Sequence, residues 1–163
     1  LGFHAVNGLM DGTHTAETSH GLEELNDLTA QGEGVQVVAR LLGLKTGSPL
    51  IRIETLRLAD RTPICVSTNW FDAGRFPEAG KVYERVRSIT KLLAHYGIRD
   101  YRRDSTRVTA AIVDATDAAR LDLALGRPIL VVDSTDVDLE GTPLLTKRAR
   151  FAAERVEFVV ENG

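Results

Sequence analysis

The sequence predicts an α+β domain with a mainly antiparallel sheet, short helices and an internal repeat. The first observation is a duplicated segment, because Gly47–Thr55 (GSPLIRIET) matches Gly126–Ser134 (GRPILVVDS) at an offset of 79 residues. The second is a Thr-Pro pair that ends at Pro63 and again at Pro143, each time followed by a phenylalanine eight residues later. Each copy has the pattern of a short helix, a tight turn and a strand hairpin, which cannot bury its apolar face alone. We therefore expect the two copies to face each other around one core, with a pocket between them.

Composition limits the class of protein. The chain has 163 residues, 43% of them hydrophobic and 26% charged, which is typical of one soluble globular domain. Its formal net charge of −3 argues against sequence-independent binding of nucleic acid. Cys65 is the only cysteine, so no internal disulfide forms, and a reducing cytoplasmic location fits. No apolar run approaches the roughly 20 residues of a membrane span. Because the chain begins at Leu1 rather than Met, we expect a fragment.

Helix signals are few and short. Residues 1–34 contain many glycine turn signals, and only Leu22–Leu28 has apolar residues at helical spacing. We assign 1–34 to an N-terminal arm or linker region with one short helix, and 35–163 to the domain itself. Further helices are predicted at Val35–Leu42, stopped by Gly43, after the N-cap Ser88 as far as Gly97, and at Ala118–Leu123, capped by Asp117.

Strands are predicted wherever side chains alternate between apolar and polar or where β-branched residues cluster. The turns Asp60–Thr62 and Glu140–Gly141 join two pairs of strands as hairpins, so the sheet is mainly antiparallel. The predicted strands are Leu50–Ala59, Pro63–Phe71, Tyr101–Val113, Pro128–Leu139, Pro143–Ala152 and Val156–Glu161.

Arginine placement is the main indication of function. Arg57 lies near the end of the first repeat's strand, and Arg148 and Arg150 share one face of the matching return strand. Arg107 lies on the strand between the repeats. If the repeats oppose each other, these guanidinium groups converge on an anion, together with Ser88 and the free amides at the start of its helix. The alternative interpretation is that the arginines are solvated charges on exposed sheet positions.

Catalytic and metal sites are not predicted. His95 is interpreted as a partly exposed structural histidine late in a helix. His4, His14 and His20 lie in the arm without the close spacing or rigid element that a metal site needs. Cys65 lies within a strand and is interpreted as a small buried hydrophobe. No phosphate loop, dinucleotide fingerprint or nucleophile elbow occurs, so we predict no cofactor and no enzyme.

An ordered set of motifs resembles a known family. The set consists of Leu42–Leu44, Gly47–Leu50, Glu54–Asp60, Pro63–Ile64, Ser88–Thr90, Tyr96–Ile98, Gly126–Ile129, Gly141–Pro143 and Arg150–Val156. It covers about residues 35–161 and resembles the UTRA domain, the effector-binding half of bacterial transcription regulators of the GntR type, HutC subfamily. The stretch Tyr101–Thr109 is most similar to regulators of phosphonate metabolism (PhnF type).

The resemblance carries expectations for fold, ligand and partners. It implies a chorismate-lyase-like fold, a homodimer, and a pocket for a small anionic effector such as a phosphonate or phosphate ester. It also implies DNA binding only through an N-terminal winged helix-turn-helix that this chain lacks, and no contact with a membrane. Arg57 matches an arginine that holds the effector's anionic group, Ser88 and Thr90 match the start of the pocket helix, and Phe151 matches an aromatic pocket residue. Thr55 departs from the pattern, because many members carry a first arginine there.

Several functions remain open at this point. The first hypothesis is a sensor module whose ligand controls DNA binding by the attached domain. The alternatives are an enzyme of the chorismate-lyase type, a free-standing binding protein for small anions, and a plain dimerisation module. We extend the effector-binding set to Arg148 and Arg150, because they can replace the positive charge that is missing at Thr55. Arg107 is included because of its place on the strand between the repeats.

Overall fold

The computed structural model describes residues 18–25 and 32–160, and the side chains from Gln36 onward. The helices are α1 (Gly32–Leu41), α2 (Ala79–Val86), α3 (Ile89–His95) and α4 (Ala115–Leu121). The strands are β1 (Thr18–Leu25), β2 (Leu50–Ala59), β3 (Thr62–Asp72), β4 (Arg102–Ile112), β5 (Pro128–Val137) and β6 (Pro143–Ala152). A turn of 3₁₀ helix, Ala153–Arg155, follows β6.

The six strands form one antiparallel sheet in the order β1-β2-β3-β6-β5-β4. The predicted α+β class is confirmed. Two hairpins supply the four central strands. The turn between β2 and β3 holds Asp60 and Arg61 at positive φ angles of 46° and 70°, the geometry of a two-residue turn that matches the twist of its strands.

The internal repeat is visible in the sheet order. Each copy consists of an edge strand, a helix and a hairpin: β1-α1-β2-β3 in the first and β4-α4-β5-β6 in the second. The copies meet where β3 pairs with β6, and Thr68 there lies opposite Arg148. These two residues differ by 80 positions, the same offset as that between Pro63 and Pro143 of the repeat. A pseudo-two-fold axis therefore passes between them. The copies therefore lie side by side in one sheet and do not face each other across a pocket as expected.

The repeat helices pack on one face of the sheet, which we call the repeat face. Because successive side chains of a strand point to opposite faces, the apolar contacts of each helix identify the face. Around α1 these contacts involve Val38, Leu42, Leu50 and Trp70, and around α4 they involve Val66, Ala118, Leu121, Ile129 and Val131.

The opposite face, which we call the insert face, has two separate apolar clusters. The larger lies under α2 and α3, the helices inserted between the repeats. Its buried members include Ile51, Ile53, Phe71, Val82, Tyr83, Leu92, Leu93 and Leu145. The smaller lies at the other end of the strands, where Val156 and Phe158 cover Cys65, Val132, Ala149 and Phe151.

Three local predictions were wrong. The segment predicted as a helix at Leu22–Leu28 contributes to β1 through Leu25, because pairing with β2 outweighs its weak helical spacing; residues 26–28 lie outside the described part. The last predicted strand, from Val156, has no regular structure through residue 160, and two of its side chains, Val156 and Phe158, pack over the insert face instead. Asp114, not Asp117, caps α4, since its carboxylate accepts a hydrogen bond from the Asp117 amide at 2.8 Å.

Replacing Leu93 with Ala tests the larger cluster. Leu93 is fully buried, so its truncation leaves a cavity, and we expect the free energy of unfolding to fall by about 2–5 kcal/mol. Urea denaturation measures the change. Leu139→Ala is the control, because Leu139 is 73% exposed and its loss should change stability by less than about 0.5 kcal/mol. Equal effects of the two substitutions would contradict the packing described.

Candidate functional site

A strip of polar side chains crosses the insert face between its two apolar clusters. We call it the polar band, and it consists of Thr55, Ser67, Asn69, Thr106, Ser134 and Lys147. Several members are deeply buried, with Ser67 at 5%, Asn69 at 1% and Ser134 at 3% exposure. The Asn69 amide donates to the Ile53 carbonyl at 3.2 Å, which fixes one end of the band. Polar groups at this depth in a sheet are costly unless they have partners or meet a ligand.

Positive charges lie along the polar band. Arg57 is half-buried at its β2 end, directly opposite Cys65. Lys147 is half-buried near the centre, on β6. Arg103 of β4 donates from Nε to Asp136 at 2.6 Å and from Nη2 at 3.4 Å. Of the charged groups that act on Lys147, Arg103 and Arg57 are positive and Asp136 is a carboxylate.

Burial and neighbouring charge change the protonation of this site. Burial, followed by the positive charges of Arg103 and Arg57, lowers the pKa of Lys147 to about 8. Burial raises the pKa of the Cys65 thiol, so Cys65 remains neutral near pH 7. Lys147 therefore stays mostly charged at neutral pH although its surroundings disfavour the charge. An anion placed there would relieve that cost.

Four of the predicted residues belong to the insert side of the sheet. Arg57 and Phe151 lie on the insert face, and Phe151 is 4% exposed and contacts the Phe158 ring edge to face. Ser88 caps α3, accepting from the Lys91 amide at 3.3 Å, as predicted. Thr90 follows it and its hydroxyl lies 3.1 Å from the Tyr101 hydroxyl. Phe151 serves mainly as core packing in this arrangement.

The other three predicted residues lie on the repeat face. Arg148 pairs with the Asp133 carboxylate through two hydrogen bonds, at 2.8 and 3.0 Å. Arg150 donates from Nε to Asp117 at 2.6 Å. Arg107 is exposed on β4, opposite Asp133. These guanidinium groups therefore do not converge with Arg57 as expected. Successive side chains of a strand point to opposite faces, and the register of the strands puts Arg57 on the insert face and the other three on the repeat face.

A groove of about 930 Å³ lies on the repeat face between α1 and the β4 side of the sheet. Val37, Val38 and Leu41 of α1 form one wall. The floor contains Trp70, Arg107, Asp133 and Arg148. Two of the groove's cations already have acidic partners, since Arg148 pairs with Asp133 and Arg52 with Glu54. The groove is therefore a weaker site for an anion than the polar band.

Sequence reasoning missed Lys147 and Arg103. Lys147 occupies a position of β6 between Leu145 and Ala149, where the alternation of the strand calls for an apolar residue. That break in the alternation was the available signal. Among the residues that the structure describes, no three His, Cys, Asp or Glu side chains come together as a metal site. None of the described helices is long and apolar enough to cross a membrane.

Comparison with known proteins identifies the family. The family model for the UTRA domain matches residues 33–157. An HTH-type transcriptional regulator of Rhizobium meliloti strain 1021, RB1450, is 35% identical over 124 residues, which are 76% of this chain and 51% of that protein. The transcriptional repressor PhnF of Mycolicibacterium smegmatis is 23% identical over 133 residues, which are 82% of this chain and 52% of that protein.

The fold agrees with the sequence comparison. The crystal structure of the effector domain of PhnF from Mycobacterium smegmatis superposes with a TM-score of 0.80 at 18% identity, covering 100% of this chain and 98% of that one. The chain spans about half the length of the curated relatives it matches. By its sequence and its fold, this chain belongs to the UTRA domain family.

Proposed function

We propose that this is the effector-binding domain of a bacterial transcription regulator and that it binds a small anionic effector, such as a phosphonate or phosphate ester. The single observation that carries the proposal is the cluster of cations along the polar band, where Arg57 and Lys147 are half-buried and close enough to repel each other. Partly desolvated cations that lie near one another favour an anionic ligand.

Hydrogen bonds from charged groups of the site to an anionic effector are strong enough for micromolar binding. A hydrogen bond to a charged group contributes about 1.5–3 kcal/mol, so three to five of them reach micromolar affinity after the ordering costs are subtracted. Guanidinium groups suit the planar or tetrahedral oxygens of phosphate and phosphonate groups. We assign Arg57 to the effector's first anionic group, as the family resemblance implies. Ser88 and Thr90, which the resemblance also implies, lie at the start of α3 over the larger apolar cluster, towards the other end of the strands from Arg57.

The regulatory context is drawn from the relatives. The two curated relatives described above are named as HTH-type regulators, which supports a binding role rather than a catalytic one. We propose that DNA is bound by a winged helix-turn-helix domain N-terminal to this one, in a homodimer. An effector shifts such a dimer between DNA-binding states only if its affinity for the two states differs.

Replacing Arg57 with Ala should weaken binding of methylphosphonate by at least tenfold, because one charged donor is removed from a partly desolvated site. Isothermal titration calorimetry at pH 7 measures this loss. Arg148→Ala is the matched control, since it removes a guanidinium group from the opposite face and should change the affinity by less than about twofold. An Arg148→Ala loss that exceeds the Arg57→Ala loss would move the effector to the repeat face.

We propose that the outer edge of β4, the last strand of the sheet in the described part of the chain, forms the contact between two copies. Its residues are mostly exposed, and Val108 and Ile112 are 42% and 65% exposed. An edge strand presents unpaired backbone groups that a second copy can pair with. The double variant Val108→Lys, Ile112→Lys should be monomeric in sedimentation velocity, whereas the wild type and Leu139→Lys, changed in a turn, should be dimers. A dimeric double variant would exclude this edge.

A further inference from the structure

Three polar residues of the polar band lie directly opposite one another on adjacent strands. Thr106 of β4 pairs with Ser134 of β5, and Ser134 pairs with Lys147 of β6. We call these three residues the Lys147 row. Directly opposed side chains of an antiparallel sheet have β-carbons about 4.5–5.5 Å apart, so the two hydroxyls and the ammonium group can contact one small group.

Two hydroxyls of the Lys147 row are buried without a partner. Thr106 Oγ1 and Ser134 Oγ are both inaccessible to solvent and neither forms a hydrogen bond with another group of the protein. Ser134 as a whole is 3% exposed. Buried hydroxyls in native proteins are nearly always satisfied, so an unsatisfied adjacent pair indicates that another molecule supplies the acceptor.

The chemistry of the Lys147 row selects a negatively charged acceptor. An ammonium group donates three hydrogen bonds and accepts none, and each hydroxyl can donate one. Arg103, which lies three residues before Thr106 on β4 and beyond a bulge, adds positive charge and pairs with Asp136. A neutral or cationic group would leave Lys147 and Arg57 repelling each other. A carboxylate or phosphoryl group would satisfy all three donors.

The Lys147 row is separate from the Arg57 end of the polar band. Arg57 lies across β3 from Phe151, which is four residues along β6 from Lys147. With 3.3–3.4 Å per residue and strands 4.7–4.9 Å apart, the α-carbons of Arg57 and Lys147 are about 16 Å apart. Both side chains are long, and the positive charge of Arg57 acts on Lys147. One small molecule with two anionic groups can therefore contact both the Arg57 guanidinium and the Lys147 ammonium group.

We propose that the Lys147 row binds a second anionic group of the effector, so that the effector is a phosphonate or phosphate ester that also carries a carboxylate. The phosphoryl group lies at the Arg57 end and the carboxylate at the Lys147 row. This inference rests on the proposed function, because it places both groups of one ligand in the same polar band.

Two ligands that differ only in the carboxylate test the inference by isothermal titration calorimetry. We expect the wild type to bind 3-phosphonopropionate at least tenfold more tightly than ethylphosphonate. Lys147→Met and Ser134→Ala should each reduce that preference to less than about threefold, because each lowers the affinity for 3-phosphonopropionate more than the affinity for ethylphosphonate. Lys147→Met removes a charge that burial disfavours, so the variant should remain folded, and its melting temperature checks this. Lys81→Met, in the exposed part of α2, is the control.

The outcomes separate the two proposals. Equal wild-type affinities for the two ligands, or a preference that survives Lys147→Met, would overturn the Lys147 row as a carboxylate site. Arg57→Ala should weaken both ligands equally and keep their ratio. If Arg57→Ala changes neither affinity while the preference persists, the result supports the Lys147 row as the carboxylate site and excludes Arg57 as the phosphonate site. If the wild type binds neither ligand, both proposals fall.

The preference should also depend on pH. A lysine whose pKa is about 8 is about 90% protonated at pH 7 and about 10% at pH 9, so the ratio of the two affinities should fall about tenfold over that range. The phosphonate titrates in both ligands and cancels in the ratio. The other groups that face Lys147 are Arg103, Asp136, Arg57 and Cys65, and burial raises the pKa of Cys65. Lys147→Arg should keep the preference without the pH dependence. A flat wild-type profile would contradict the lowered pKa of Lys147.

Discussion

The antiparallel pairing of β3 with β6 is the constraint on which the rest of this domain depends. It joins the two repeats at Thr68 and Arg148 and so converts two hairpins, each too small to form a core, into one sheet. The register of this pair also assigns every side chain of the central strands to a face. A shift of one residue would exchange Lys147 with Arg148 and move each to the opposite side of the sheet. The location of the candidate site is therefore a consequence of one register.

The two faces use their charges differently. On the repeat face, Arg150 is 12% exposed in its side chain and bridges Asp117 of α4 and Thr68, while Arg120 of α4 donates to the buried Glu54 at 2.6 Å. These pairs hold α4 against the sheet near the pseudo-two-fold axis, and breaking one would leave a charge buried without compensation. On the insert face, the charges that act on Lys147 include the two guanidinium groups of Arg103 and Arg57 and the Asp136 carboxylate. The same residue types thus serve structure on one face and are suited to recognition on the other.

Local sequence patterns predicted most of the strands, because alternation and turn chemistry are local properties. The strands Leu50–Ala59 and Pro143–Ala152 were predicted with the bounds that the structure has. The packing of the repeats was not predictable in the same way. Whether two hairpins face each other or join edge to edge depends on long-range pairing, and that choice decided where Arg148 and Arg150 lie. Arg57 and Ser88 were found from the placement of the arginines and from a helix cap, and the family resemblance matched them, whereas the Lys147 row required the register of three strands.

The geometry of the polar band suggests how a ligand in it could affect the rest of the molecule. The band begins at Arg57 in the first repeat, crosses the junction of the repeats, and ends at Thr106 on the edge strand β4. A ligand with two anionic groups would therefore contact both repeats and the edge strand at once. It would favour the arrangement of these strands in which the distance between Lys147 and Arg57 matches the distance between its two groups. Because coupling between sites is reciprocal, a partner copy paired with β4 would change the affinity for the effector by the same factor by which the effector changes dimer formation. Recognition and regulation would then share a single element, the strand at the end of the Lys147 row.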